Sequence, residues 1–499
     1  MIASDRLLPA ANHEIKASRD SWFSMLVTAA ALIPRLWAAL VWAREPVWDG
    51  HYYHYGAMRI AEGLGYSEDV MIHGVPIWKP WTHYPVGYSA WLGGLYRIFG
   101  SHTWVAPVSN AVVGALFVLV IHRLAWRALG PWRGRLAALL VALHPGLILY
   151  SALVMTEAFA GFLVAMALLI FARHPDRFRS AAFAGVVLGF AVLVRPSSLL
   201  AVPLLAVVPG KFGRGACARA LLALGLCIVT TVPWTLRNCE RMDGCAFVST
   251  NGGWNLAIGA LTKNGRFQTL RASDGCPVVT GQVQQDRCWM QVGWRTILHA
   301  PIEWLSRAPA KLAQTFDHES FAVEYLHEAD PKSWPEARRV ATRELLTDVH
   351  RCLLAMALLS VVGRVGWKRW RSRAFLSQAG LLAAIAVLTY SVANSDRHPF
   401  YLLVLALIGL FLLVLPGSPS SHGILRFSVG FIAATAATHA IFFGDDRYHI
   451  VVSGFFCLQA AAALRPASRQ PRPTIVTRIQ SFATTTRTWV RETASGRAR

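Results

Sequence analysis

Charge is scarce in this chain. Only 15% of its 499 residues are Asp, Glu, Lys or Arg, against about 25% in a soluble globular protein, while 54% are hydrophobic. The shortage excludes a soluble enzyme and leaves a polytopic membrane protein. Acidic residues are scarcer still: 27 face 49 Lys and Arg, for a formal net charge of +22 and a pI near 10.3. Such an excess could suggest nucleic-acid binding, but the arginines fall in short clusters between apolar runs. That is the pattern of the positive-inside rule, and no nucleic acid is expected as a partner.

Other absences narrow the choice. No P-loop, dinucleotide fingerprint or Ser-His-Asp pattern is present, so nothing points to a nucleotide site or a serine nucleophile. No internal repeat is visible, which counts against a repeat-built transporter. No small-residue cleavage site follows the apolar run from Trp22 to Trp42, which is long enough to span a bilayer and is expected to remain as an anchor. Cysteines number eight. Cys217, Cys227, Cys352 and Cys457 sit in or beside apolar runs as small hydrophobes. Cys239, Cys245, Cys276 and Cys288 share one long polar region, which suggests disulfides in an oxidising compartment, with the pairing left open.

What the chain does have is a series of apolar runs punctuated by basic clusters, at Arg123 to Arg135, Arg173 to Arg179, Lys211 to Arg219, Arg364 to Arg373, and a tail from Arg465 to Arg499. Placing every cluster in the cytoplasm requires an even number of spans between neighbours. The runs at Trp22–Trp42, Val105–Ile121, Leu136–Val154, Ala158–Ala172, Ala181–Val194, Pro196–Val208, Leu221–Val232, Arg351–Val362, Phe375–Ala393, Phe400–Leu415, Arg426–Phe443 and Ile450–Leu464 satisfy this. The expected fold class is an all-α polytopic membrane protein of about 12 transmembrane helices, with interfacial helices in the first outer loop and a small mixed periplasmic domain. The expected divisions are 1–233, with the first outer loop at 44–104, then 234–349, 350–464, and a basic tail at 465–499. On this topology only Asp5, Glu14, Asp20, Asp176 and Glu492 lie on the cytoplasmic side. The remaining carboxylates, and with them the chemistry, face outward.

Within the first outer loop the stretch WDGHYYHYGAMRIAEGLGY predicts a helix from His51 to Glu62. Asp49 stands just before it. Two roles are open to that carboxylate: an N-cap for the free backbone N–H groups, or a general base at the membrane boundary. Tyr84 to Phe99 is expected to form a helix that lies at the interface or dips into the membrane rather than spanning it. In the long polar region, FVSTNGGWNLAIG reads as loop and short strand, and Trp289 to Phe316 as amphipathic helices. Glu157 is the lone carboxylate in the apolar stretch Ala137 to Ala172, a functional candidate for that reason. Arg195, Arg397 and Arg447 each flank an apolar run on the outer face. With Lys79, they favour an anionic headgroup or phosphate, which a planar guanidinium clamps well. Arg35, beside Pro34 inside the first span, is expected to snorkel. His51, His54, His73 and His83 offer imidazoles near Asp49 for a divalent cation, but their spacing matches no metal motif, and no metal is assigned.

Taken in order, WDGHYYHYGAMRIAEGLGY, YPVGY, TEAF, LVRPSS, PWTLRN followed by STNGGWNLAIG, and GDDRYH resemble the GT-C superfamily of polytopic glycosyltransferases. The likeness is greatest to the branch of lipid A aminoarabinose transferases and protein O-mannosyltransferases. The resemblance implies a polyprenyl-phosphate sugar donor, Asp49 as catalytic base, and a donor groove near Arg195 and Arg447 that includes Lys79, Glu157, Arg397 and Tyr448. Tyr53, His83, Tyr84 and Asn251 would line the acceptor or donor groove. The sequence departs from the pattern at Asp49-Gly50, where many relatives carry Asp-Glu, and at Tyr84-Pro85-Val86-Gly87, where many have two prolines. The implied activity is inverting transfer at the periplasmic face of a bacterial inner membrane, to a lipid, polysaccharide or protein acceptor. The competing expectation is a transporter or lipid flippase with Glu157 and the arginines along a path.

Overall fold

The computed structural model describes residues 8–210, 212–277, 281–362, 399–414 and 423–464. The expected span Phe375–Ala393, the cluster at Arg364 to Arg373, Arg397 and the basic tail lie outside them.

The chain begins with helix α1 (Leu8–Val41), followed by α2 (Asp49–Ala61), a ribbon of β1 (Ser67–Ile72) and β2 (Val75–Pro80), α3 (Val86–Phe99) and α4 (Val105–Leu129). The helix expected at His51 to Glu62 and the one expected from Tyr84 to Phe99 are α2 and α3. The ribbon was not expected. Its antiparallel register pairs Ser67 with Pro80 and Ile72 with Val75, and it turns through His73 and Gly74, with φ of 51° and 81°. Both residues lie in the left-handed region that a two-residue hairpin turn demands.

Helices α5 (Pro131–Ala142) and α6 (Pro145–Leu149) replace the single run Leu136–Val154, and the chain bends by 55° between them. Pro145 disfavours helical geometry at the residue before it, and His144 instead caps α6 by accepting the Leu147 N–H. The broken end of α5 is sealed by Arg35. That residue is fully buried and donates to the carbonyls of Val141 at 2.8 Å and Ala142 at 3.0 Å. Arg35 therefore does not snorkel: it satisfies helix-terminal carbonyls that would be costly to leave unpaired away from water.

Next come α7 (Glu157–Arg173), α8 (Phe178–Val194) and α9 (Arg214–Arg241). The expected span at Pro196–Val208 consists of two short 3-10 segments, Pro196–Ala201 and Pro203–Val207. The polar region then carries α10 (Gly252–Leu261), α11 (Gln282–His299), α12 (Pro301–Ser306), α13 (Ala308–Phe316) and α14 (Phe321–Ala329), before α15 (Glu336–Val362). Among its described residues this region has no strand, so it is helical rather than mixed. NGGWNLAIG winds into α10 because the Asp286 carboxylate accepts the Gly253 N–H at 2.7 Å. Two disulfides fasten the region, Cys239–Cys245 and Cys276–Cys288. The described chain closes with α16 (Tyr401–Val414), α17 (Gly423–Ile441) and α18 (Ile450–Ala463).

Four helical segments among the described residues are long and apolar enough to cross a membrane, at Ser21–Val41, Val105–Leu129, Arg214–Arg241 and Gly423–Ile441, and the bent α5–α6 pair adds a fifth. Helix α4 packs against α1, α5 and α7, and Phe117, Val118, Ile121 and Leu124 on it are buried. The large side chains that stay exposed, such as Trp22, Leu26, Ile33 and Trp37 on α1 and Phe183 and Phe190 on α8, form apolar rows suited to lipid.

Candidate active site

Asp49 opens α2 but does not cap it. Trp48 takes the cap position, and no side-chain cap hydrogen bond forms. The Asp49 carboxylate turns away from its own helix: Tyr84 Oη donates to Oδ1 at 2.7 Å, and Arg447 Nη1 donates to Oδ2 at 2.6 Å. Trp48 has a φ of 51°, an unfavourable backbone state for a bulky residue that persists only where its surroundings enforce it. Here the indole packs against Phe321 and Tyr325.

Gly50 is needed beside it. A methyl group there would run into the Tyr325 hydroxyl and come within 2.9 Å of the Val154 carbonyl. Tyr325 thus fills the space beside Gly50. Gly50→Ala should cost about 1–3 kcal/mol in overpacking, and Tyr325→Phe in the same chain should restore part of it. Thermal unfolding in detergent measures both, and an unchanged midpoint for Gly50→Ala would contradict the packing described.

From Arg447 the cluster extends inward. Its guanidinium lies 5.1 Å from the Tyr448 ring centre, and that of Arg195 lies 4.9 Å from the same ring. Tyr448 also stacks on His439 at 4.1 Å. Arg195 follows the C-terminus of α8 and donates to Glu157 Oε1 at 2.9 Å. Glu157 is the first residue of α7, where a carboxylate also suits the helix dipole. Asp49, Tyr84, Glu157, Arg195, Arg447 and Tyr448 therefore form one connected chain of contacts. Tyr53 is buried with its ring 5.4 Å from Tyr84. His83 meets Tyr84 and Trp254 edge-on at 5.1 and 5.7 Å.

Two predicted residues do not join it: Lys79 is exposed on β2 opposite Glu68, and Asn251 accepts a hydrogen bond from Ser249. Arg397 lies outside the described residues. Of the first-loop histidines, His83 lies near Asp49, whereas His54 is buried against Tyr96 and His73 sits in the ribbon turn. Sequence reasoning missed Tyr325, Phe321 and Asp445. Only Asp445 carried a signal, as a member of GDDRYH.

The electrostatics follow from this packing. Burial opposes the charge on Asp49, but Arg447 and the Tyr84 hydrogen bond outweigh it and hold the carboxyl below its usual range. Burial pushes Asp445 up to about 7, although Arg447 pulls the other way. Burial lowers His83 to about 4, so the imidazole is neutral at pH 7 despite its proximity to Asp49. Burial and the nearby Asp49 raise Tyr84, which keeps its proton and remains a donor. The Arg447 Nε–H is buried without a hydrogen-bond acceptor, which leaves the guanidinium able to take another anion.

An apolar cavity of about 810 Å³ is lined by Val86, Trp91, Val105, Phe162, Phe190 and Val194 among others, and by none of the six side chains of the cluster. Of its lining residues, Val86 follows Tyr84 by two positions and Val194 precedes Arg195 by one.

Residues 83–236 match the family model described as dolichyl-phosphate-mannose-protein mannosyltransferase. No curated protein matches the chain. Among solved structures, an oligosaccharyltransferase from Archaeoglobus fulgidus, tethered to an acceptor peptide, is 13% identical with a TM-score of 0.41, covering 89% of this chain and 50% of its own. The same archaeal enzyme, AglB, in complex with an inhibitory peptide and a dolichol-phosphate, is 15% identical with a TM-score of 0.36, covering 88% of this chain and 50% of its own. The chain thus spans about half the length of these archaeal structures. ArnT from Cupriavidus metallidurans, bound to undecaprenyl phosphate, is 16% identical with a TM-score of 0.35, covering 84% of this chain and 77% of its own. The matched stretch, 154 of the 499 residues, contains Tyr84, Glu157 and Arg195 and is similar to that mannosyltransferase family.

Proposed function

We propose that the protein transfers a sugar from a polyprenyl-phosphate donor to an acceptor hydroxyl or amine, with inversion at the anomeric carbon and with Asp49 as general base. The observation that carries this is the meeting of Asp49, Tyr84, Arg447, Arg195 and Glu157, drawn from distant parts of the chain, in one network of contacts. The cavity would take the lipid, and the arginines the phosphate. The acceptor would approach over the aromatic wall of Tyr52, Trp81, Tyr84 and His83. As the acceptor oxygen or nitrogen attacks the anomeric carbon, its proton passes to Asp49. The carbon–oxygen bond to phosphate breaks, and the departing phosphate gains a negative charge that Arg447 and Arg195 stabilise. No nucleotide site is required.

Asp49 paired with Arg447 is a weak base. A lipid phosphate competing for Arg447 would loosen that pair and raise the proton affinity of the carboxylate, so basicity appears only when donor is in place. The site would face the periplasm of a bacterial inner membrane, where the basic clusters lie opposite and the two disulfides persist. About 12 spans remain the expected total.

Asp445 makes donor binding pH-dependent. Its carboxylate lies 3.7 Å from Arg447 Nε and ionises near pH 7. Below that pH it is neutral and does not oppose a phosphate; above it the negative charge does. Donor affinity should fall as pH rises through about 7, and Asp445→Asn should flatten the profile. Binding isotherms with polyprenyl phosphate from pH 5.5 to 8.5 would show this, and an identical slope in the variant would refute it.

Mass spectrometry of envelope glycoconjugates from cells with and without the chain tests the activity. A conjugate heavier by a glycosyl unit only when the chain is present supports transfer. Solute moved across the membrane unaltered, with no new conjugate, would instead favour a transporter.

A further inference from the structure

A second buried polar cluster lies behind the Arg447 loop, and the proposed transfer uses none of it. Glu319 comes from the link between α13 and α14, His350 from α15, and His449 from the residue before α18. All three are buried, and one ligand-capable atom of each lies within 4.8 Å of the other two.

Hydrogen bonds fix the tautomers. A carbonyl only accepts, so the ring nitrogen facing one carries the proton. His449 donates from Nδ1 to the Thr315 carbonyl at 2.7 Å, and His350 from Nε2 to the Phe316 carbonyl at 2.9 Å. In neutral rings the lone pairs then sit on His449 Nε2 and His350 Nδ1, which lie 3.2 and 3.9 Å from Glu319 Oε2. The two rings stack at 4.0 Å, side by side along the carboxylate. Two lone pairs and a carboxylate thus converge in a space closed to solvent, an arrangement that repels itself unless a positive charge sits among them.

The surroundings are built for the carboxylate. Gly146 leaves room for it, since a methyl group there would collide with Glu319 Oε1. Oε1 itself has no hydrogen-bond partner and is buried. A third imidazole stands by: His144 accepts the Leu147 N–H on Nδ1, so Nε2 bears the proton, 4.0 Å from Glu319 Oε2 and likewise unpartnered.

We propose that Glu319, His350 and His449 bind a divalent transition-metal ion, with zinc the ion to test. Two imidazole nitrogens and one carboxylate oxygen suit Zn²⁺, and each imidazole already has its outer nitrogen on a main-chain carbonyl, as metal-bound histidines do. Metal–ligand bonds of about 2.0–2.2 Å in a tetrahedral site set ligand atoms about 3.3–3.6 Å apart, between the 3.2 and 3.9 Å that separate Glu319 Oε2 from the two imidazole nitrogens. The His144 Nε2–H would face a water in the remaining position. Such an ion would pin His449, and with it Arg447 two residues earlier, to the frame of α13 and α15. The site does not depend on the transferase assignment.

The test is the metal content of the full chain, purified in detergent with a tag free of histidine, by plasma mass spectrometry and zinc-edge X-ray absorption. The expected result is an equimolar first-row metal that survives desalting. After stripping with a chelator, added Zn²⁺ should rebind with imidazole scattering in its spectrum. Protein that carries no metal and takes up no Zn²⁺ overturns the proposal, and a protonated His449 paired with Glu319 would then account for the cluster. Glu319→Gln and His449→Asn should each lower retained metal at least about tenfold, while His51→Asn keeps it. Equal metal in all three would put the ion elsewhere and also refute the site. The wild-type spectrum decides even if a cluster variant fails to fold.

Discussion

Asp49→Asn is expected to lower the transfer rate by about 10²–10⁴-fold, the range a positioned general base supplies, while the variant still accumulates and folds. The amide keeps the oxygen that accepts from Tyr84 Oη but offers no carboxylate to take the acceptor's proton. Losing one partner of a fully buried ion pair can cost about 3–5 kcal/mol. The cost here should be smaller, because Asp49 is only partly buried and Asp445 remains beside Arg447. The loss should therefore appear in turnover, with donor affinity unchanged or improved as Arg447 is freed. Single-turnover transfer and lipid-phosphate binding on the same preparation separate these effects. A variant with near-wild-type turnover would show that the proton goes elsewhere.

Arg447→Lys should cost about 10²–10³-fold, the scale for removing one donor that stabilises charge in the transition state. Lysine keeps the positive charge but not the planar fork, which here reaches Asp49, Tyr448 and Asp445 at once. A point charge cannot serve all three and a phosphate besides. Unlike Asp49→Asn, this change should weaken donor binding as well as turnover. If Arg447→Lys binds the lipid phosphate as tightly as wild type, the clamp must rest on Arg195 alone.

Several site residues were readable in the sequence because polar groups beside apolar runs need a reason to be there. Asp49, Glu157, Arg195 and Arg447 each interrupt or flank such a run, and each takes part in the cluster. The partner of each was not readable: Asp49 and Arg447 are separated by 398 positions, and no spacing rule links them. Arg35 shows the opposite case, since its position beside Pro34 suggested a side chain reaching for water, whereas the carbonyls it serves belong to α5. The break between α5 and α6 was hidden because hydropathy continues across His144-Pro145. FVSTNGGWNLAIG looked like loop because Gly and Asn disfavour helix, a preference that a carboxylate from α11 overrides at Gly253. The left-handed Trp48 escaped for a related reason, since Phe321 and Tyr325 hold it there, while the turn at His73-Gly74 follows from the pairing of β1 with β2. Glu319 and His350 had no signal, being single letters in separate segments, and His449 stood in the sequence only as the last letter of GDDRYH, with nothing to link it to either.

A double-mutant cycle on the transfer rate tests most directly whether Asp49 and Arg447 act as one unit. Wild type, Asp49→Asn, Arg447→Gln and the double variant would be compared in single-turnover reactions with a polyprenyl-phosphate sugar. Groups that work together are strongly non-additive, so the double variant should be hardly slower than the slower single one. Losses that simply multiply would mean that the carboxylate and the guanidinium contribute separately, and the shared site described here would be contradicted.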